Sequence, residues 1–132
     1  MMIRKVFSAY FNRAIFGKMR NTVNFDEIKA MANDPSVWIV DVRNPDEVFS
    51  TGGIGNCINI PATNVSEALK DHESFKDKFG RAVPTHEDTV IFYCRSGKRA
   101  QKAWEDANAL GFQNAKYYPG SYLEWSSKQS EN

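Results

Sequence analysis

Two short, nearly unbroken apolar runs limit what this chain can fold into more than any other feature. Val37 to Val42 and Val90 to Tyr93 are too short for helices and lack the alternating polarity of a half-exposed strand. Runs of this kind are strands covered on both faces, the condition of a parallel sheet between layers of helices. The segments around them agree. Asn24 or Asp26 can cap a short helix carrying Phe25, Ile28 and Met31, ended by Asn33-Asp34-Pro35. Asn44-Pro45-Asp46-Glu47 joins a capping residue, a proline at the first helical position and acids in the first turn. Cys57 to Pro61 reads as a short strand that proline terminates, after the flexible turn Thr51 to Gly55. Val65 to Lys70 and Ser74 to Phe79 read as helices, and residues 81–88, with Pro84, as a surface loop. Ala100, Ala103, Trp104, Ala107 and Leu110 form the inward face of a helix stopped by Gly111. Ala115 to Tyr118 reads as a last strand, and Ser121 as the cap of a final turn through Trp125. This alternation predicts a single α/β domain with a parallel central sheet and helices on both faces.

A chain of 132 residues with 42% hydrophobic content supports one core, hence one domain. The formal net charge of +1 gives no overall field for nucleic acid or a membrane surface. Nor does any stretch reach the apolar length of a membrane span, so a soluble protein is expected. Two cysteines, Cys57 and Cys94, are too few for a disulfide scaffold and point to a reducing compartment. Charge is uneven along the chain. Residues 1–25 hold Arg4, Lys5, Arg13, Lys18 and Arg20 and no acid, which leaves residues 26–132 at net −4. Ile3, Val6, Phe7, Tyr10, Phe11 and Ala14 recur there at helical spacing. An amphipathic, basic, acid-free leader reads either as a mitochondrial transit peptide or as a helix packed on the domain of a cytoplasmic protein, and Met19 offers an alternative start. The predicted organisation is therefore a basic amphipathic segment over 1–23, a globular domain over 24–126 and a polar tail over 127–132.

The chemistry concentrates where the second apolar run ends. Cys94 follows it directly, and Arg95-Ser96-Gly97-Lys98-Arg99 leads into the next helix. In a parallel α/β sheet, ligands bind where strands end and helices begin. Backbone amides and the positive helix end favour an anion at that point. Three cations, with a glycine and a serine that permit tight curvature, favour the thiolate of Cys94, a nucleophile suited to an anionic electrophile. The bland alternative is an ordinary buried cysteine at the end of a core strand. Such a cysteine has no need of this loop. His72 and His86 lie in polar segments and are expected at the surface, so no proton shuttle is evident. The chemistry calls for no cofactor and no metal.

The chain resembles the rhodanese homology domain, in which a six-residue loop after a core strand begins with the catalytic cysteine. The likeness rests on Val40-Asp41-Val42-Arg43 followed by Pro45 and Glu47, on Ile58 to Pro61, on Cys94 to Ala100, on Gly111-Phe112, and on Tyr118 to Gly120 with Trp125. The loop pattern is similar to that of single-domain thiosulfate sulfurtransferases that can use glutathione. The resemblance implies that Cys94 attacks the outer sulfur of thiosulfate while Arg95, Ser96, Gly97, Lys98 and Arg99 hold the dianion. The resulting persulfide then passes its sulfur to cyanide, glutathione or a protein thiol such as thioredoxin. It implies that Asp41 and Arg43 support the loop; alternatively they cap the next helix and pair with Glu47. Tyr122 and Trp125 are expected at the pocket mouth or as core closure. Cys57 stands where the family usually has a small residue, and either packs or acts as a resolving thiol. Gly52 to Cys57 departs from the family's Gly-His-Ile-Pro-Gly-Ala.

Three rival readings differ in what the loop does. Rhodanese-fold phosphatases place five residues between cysteine and arginine, whereas four lie between Cys94 and Arg99. Non-catalytic modules of the fold usually lack the cysteine. A sulfur relay to a protein partner needs the same loop as a free sulfurtransferase.

Overall fold

The computed structural model describes residues 20–130. The leader expectations for residues 1–19, including the alternative start at Met19, lie outside that range. In chain order the elements are α1 (Phe25–Met31), β1 (Val37–Asp41), α2 (Pro45–Thr51), β2 (Ile58–Asn59), a 3-10 turn (Ala62–Asn64), α3 (Val65–Lys70), α4 (His72–Phe79), β3 (Thr89–Tyr93), α5 (Lys98–Ala109), β4 (Ala115–Tyr117) and α6 (Ser121–Ser130). The strands form one sheet in the order β2-β1-β3-β4, every pair parallel.

The two apolar runs become the central strands for the reason their composition suggests. Side chains alternate across a strand, so Trp38 and Val40 of β1 and Val90 and Phe92 of β3 enter one cluster with Val65, Leu69, Phe75, Ala100, Ala103 and Ala107 of α3, α4 and α5. Val37, Ile39, Ile91 and Tyr93 enter the opposite cluster with Ile28 and Met31 of α1, Tyr118 and the partly buried Tyr122 and Trp125 of α6. Both faces of the sheet are thus covered by helices. Burying a leucine- or phenylalanine-sized side chain contributes about 1.5–3 kcal/mol, and continuous runs in β1 and β3 gain that on both faces.

Local signals hold the helices. The Asn24 side chain accepts from Glu27 N at 2.9 Å while the Glu27 carboxylate accepts from Asn24 N at 2.8 Å, a reciprocal cap on α1. At α2 the Glu47 carboxylate accepts from Asn44 N at 3.1 Å behind Pro45.

Two boundaries differ from expectation. Residues 21–23 belong with the sheet rather than with the leader: Thr22 bridges Tyr117 in parallel, Tyr117 N donates to Asn21 O at 2.9 Å and Val23 N to Tyr117 O at 3.0 Å. The outer edge of β4 offers unpaired backbone groups, and Val23 is an apolar residue that this pairing buries. At the other end α6 runs through Ser130, past Trp125 and into the polar stretch, because no glycine or proline stops it. Lys128 crosses over the Phe25 ring at 5.4 Å. Among the described residues, no helix is long and apolar enough to cross a membrane.

Candidate active site

β3 delivers Cys94 to the carboxyl end of the sheet, and α5 begins four residues later. Between them the chain must reverse within Arg95, Ser96 and Gly97. Gly97 takes φ 110°, ψ −29°, a conformation that side chains with a Cβ rarely adopt. A Cβ there would also meet Pro119 O at 2.7 Å. With the loop drawn this tightly, Gly97 N donates to Cys94 Sγ at 3.0 Å. Cys94 itself is 1% exposed, so the sulfur sits at the floor of the loop rather than on its rim.

α6 holds the loop from behind. The first amides of a helix have no partners within it, and here Tyr122 N donates to Cys94 O at 2.9 Å and Leu123 N to Arg95 O at 3.1 Å. Fixing these carbonyls toward α6 leaves the next amide, that of Gly97, facing the sulfur. Ser121 completes the arrangement. Its hydroxyl accepts from Cys94 N at 3.1 Å, donates to Tyr118 O at 2.8 Å and lies 3.8 Å from Cys94 Sγ. Ser121 is fully buried and has φ 54°, the single non-glycine in the left-handed region among the described residues. Sequence reasoning assigned it only a capping role. Its signal in the sequence is a serine directly after Tyr118 to Gly120, one of the stretches that carry the family likeness.

The predicted loop residues come together around Cys94 in unequal roles. Arg95, Ser96 and Lys98 are exposed, and Gly97 is buried. Arg99 is half-buried and tied to Glu47 of α2 by two hydrogen bonds, of 2.8 and 3.1 Å. These bonds hold the Glu47 carboxyl down to about 2, against a partial desolvation that works the other way. The same pairing raises Arg99, which also feels the charge of Cys94.

Asp41 and Arg43 form a buried pair at the carboxyl end of β1. Arg43 Nη2 and Nε donate to the Asp41 carboxylate at 2.7 and 3.0 Å, Nη1 donates to Thr51 Oγ1 at 2.9 Å and Nη2 to Gly52 O at 2.9 Å. Burial opposes the Arg43 charge, but the hydrogen bonds and charge of Asp41 outweigh it and keep the guanidinium protonated. Its Cζ lies 4.4 Å from the centroid of the Tyr122 ring, and Tyr122 Oη donates to Thr51 O at 3.0 Å. One arginine therefore joins the end of β1, the end of α2 and the first turn of α6. Glu47, the alternative partner considered for Arg43, goes to Arg99 instead, because Asp41 lies on the same strand end with its carboxylate already buried against the guanidinium. Asn59 of β2 closes the back, donating to Asp41 O at 2.8 Å and Arg43 O at 3.0 Å.

Cys57 lies on the other side of the sheet from Cys94. It packs against the α1 and α6 cluster, where Tyr93 Oη donates to its sulfur at 3.5 Å, whereas Cys94 belongs to the cluster under α3, α4 and α5. Burial, then Cys57 and Asp41, push Tyr93 well above the ordinary tyrosine range. Trp125 packs on Phe25 with ring centroids 5.6 Å apart. His72 and His86 are both exposed, and His86 meets Phe112 edge-on.

A four-stranded parallel α/β domain that carries a buried cysteine between a strand end and a helix start, with the Gly97 amide on its sulfur and three cationic side chains in the residues that follow, defines a single α/β domain built around a cysteine-bearing loop. The chain belongs to the rhodanese family: the model of the Rhodanese-like domain matches residues 24–128. It is 32% identical to the human thiosulfate:glutathione sulfurtransferase over 111 residues, covering 83% of this chain and 96% of that one. It is 34% identical to the mitochondrial thiosulfate sulfurtransferase RDL2 of Saccharomyces cerevisiae over 119 residues, covering 88% and 79%. Among solved structures, the human single-domain sulfurtransferase TSTD1 superposes with a TM-score of 0.76 at 31% identity, over 82% of this chain and 96% of that one.

Proposed function

We propose that this chain is a thiosulfate sulfurtransferase that carries sulfur as a persulfide on Cys94. The observation that carries the reading is the Gly97 amide on Cys94 Sγ at 3.0 Å, a donor aimed at the atom that must bear negative charge. In the first step the Cys94 thiolate attacks the outer sulfur of thiosulfate. A new S–S bond forms, the bond to the sulfonate sulfur breaks, and its electron pair leaves with sulfite. In the second step an acceptor thiolate attacks the outer sulfur of the persulfide, taking that sulfur and returning the Cys94 thiolate. Cyanide in the same role yields thiocyanate. Both nucleophiles react as anions, so no general base is required.

Arg95 and Lys98 supply exposed cations for the dianion, Ser96 and Gly97 shape the loop around it, and Arg99 acts from within its pair with Glu47. Asp41 and Arg43 keep the loop backed by α2 and α6. Glutathione is the favoured acceptor, supported by the name of the human relative, and a mitochondrial location is supported by the basic leader together with the name of the yeast relative. The deciding experiment is intact mass after thiosulfate treatment. The wild-type chain gains one sulfur atom and releases sulfite, and Cys94→Ser does neither. A wild-type protein that gains no sulfur overturns the reading. Turnover compared across glutathione and cyanide then ranks the acceptors, and the mature N-terminus in fractionated cells tests the location.

A further inference from the structure

Three cations follow Cys94 in the sequence, but the fold leaves only two of them unopposed. Arg99 is held by Glu47 through two hydrogen bonds, at 2.8 and 3.1 Å, while Arg95 and Lys98 are exposed and in no ion pair among the described residues. Glu47 comes from α2, 52 residues away in sequence, and its carboxylate also accepts from Asn44 N at the start of that helix. The acid is thus anchored by its own backbone and does not merely follow the arginine. It stands beside the first turn of the helix that Cys94 introduces.

We infer that Glu47 is a specificity-determining residue: by neutralising Arg99 it limits the pull of the loop on anions, so that a dianionic donor is captured and a dianionic product is still released. Three unopposed cations would hold both. The step that gains from weaker capture is departure of the leaving anion, which shares the charge of the donor. The role in turnover rests on the sulfurtransferase reading above, whereas the charge selectivity of Cys94 does not depend on sulfur transfer.

The test uses the full chain and compares alkylation of Cys94 by anionic iodoacetate with that by neutral iodoacetamide, followed by mass on the Cys94 peptide. The ratio of the two rates reports charge at the sulfur and cancels changes in loop mobility or thiolate content. In Glu47→Gln, which keeps the hydrogen-bonding shape, the ratio rises about three- to tenfold at low ionic strength, and the rise shrinks in concentrated salt. Glu47→Asp restores the charge and returns the ratio to within about twofold of wild type. Arg99→Gln leaves the acid unbalanced and drops the ratio below wild type by about threefold or more. In turnover, Glu47→Gln lowers KM for thiosulfate and lowers kcat with it, because the product anion is held as well. An unchanged ratio in a Glu47→Gln protein that melts like wild type, or no drop in Arg99→Gln, overturns the inference. If wild type releases no sulfite but the ratios move as stated, the sulfurtransferase reading fails and the electrostatic one stands; sulfite release with unmoved ratios does the reverse.

Discussion

Replacing Ser121 with alanine removes one oxygen that satisfies two backbone groups in a fully buried place. Cys94 N loses its acceptor at 3.1 Å and Tyr118 O its donor at 2.8 Å. A buried amide left without a partner costs about 1–3 kcal/mol, and loss of an ordinary hydrogen bond at the carbonyl about 1 kcal/mol more. No solvent reaches the site, since Ser121 is 0% and Cys94 1% exposed. The expected destabilisation is about 2–4 kcal/mol, which for a domain of this size lowers the melting temperature by about 7–14 °C. Alanine keeps the left-handed backbone of Ser121, φ 54°, and so keeps its strain. Ser121→Gly relieves about 1–2 kcal/mol of that strain, offset by the greater entropy of the unfolded glycine chain. It is therefore expected to be no less stable than the alanine variant. Urea unfolding of the three proteins measures the difference, and sulfite release from thiosulfate reads the effect on the loop. An alanine variant within about 0.5 kcal/mol of wild type would refute the argument that this hydroxyl is the partner of the Cys94 amide.

Other expectations follow from the same structure. Gly97→Ala places a Cβ 2.7 Å from Pro119 O at φ 110°; a loss of about 2–4 kcal/mol and of most sulfite release is expected, and wild-type melting and turnover together would count against the geometry. Arg43→Met strands the buried Asp41 carboxylate, so denaturant titration should show a loss of about 3–5 kcal/mol, with the loop loosened as α2 and α6 part. Glu47 is lowered from 4.5 to about 2 on folding, so its stabilising contribution is complete above about pH 4.5 and is lost as pH falls toward 2. The urea midpoints of wild type and Glu47→Gln should therefore converge between pH 7 and pH 3, by a small amount because the pair is partly exposed. A constant gap would contradict the linkage.

The sheet could be read from the sequence because β1 and β3 are buried on both faces, which writes burial directly into unbroken apolar runs. The helix starts at Asn24 and Asn44 were legible for a related reason, since a cap and its acid lie three residues apart. Cys94 and its loop stood out through local crowding of cations and glycine. The pairings were not legible. Arg43 with Asp41 against Arg43 with Glu47 is a choice between neighbours that composition does not rank, and the side-chain directions at the end of β1 decide it. Glu47 with Arg99 joins two elements that meet only after the sheet has formed. Ser121 was hidden because capping and contact with Cys94 call for the same hydroxyl, and which one it serves depends on α6 docking against a loop 27 residues earlier.

The residues beside β4 bear on how this protein avoids itself. A parallel sheet ends in a strand whose outer amides and carbonyls form a template for any passing chain. Asn21 and Val23 occupy that template at Tyr117, while Gly97 and Ser121, which hydrogen-bond the Cys94 sulfur, lie elsewhere. A chain clipped just after Val23 would retain the whole Cys94 loop and yet present an uncovered, sticky border. Cover for the sheet border and the Cys94 loop thus come from separate stretches of one small domain, so trimming from the first end would bare the border before it reached the loop.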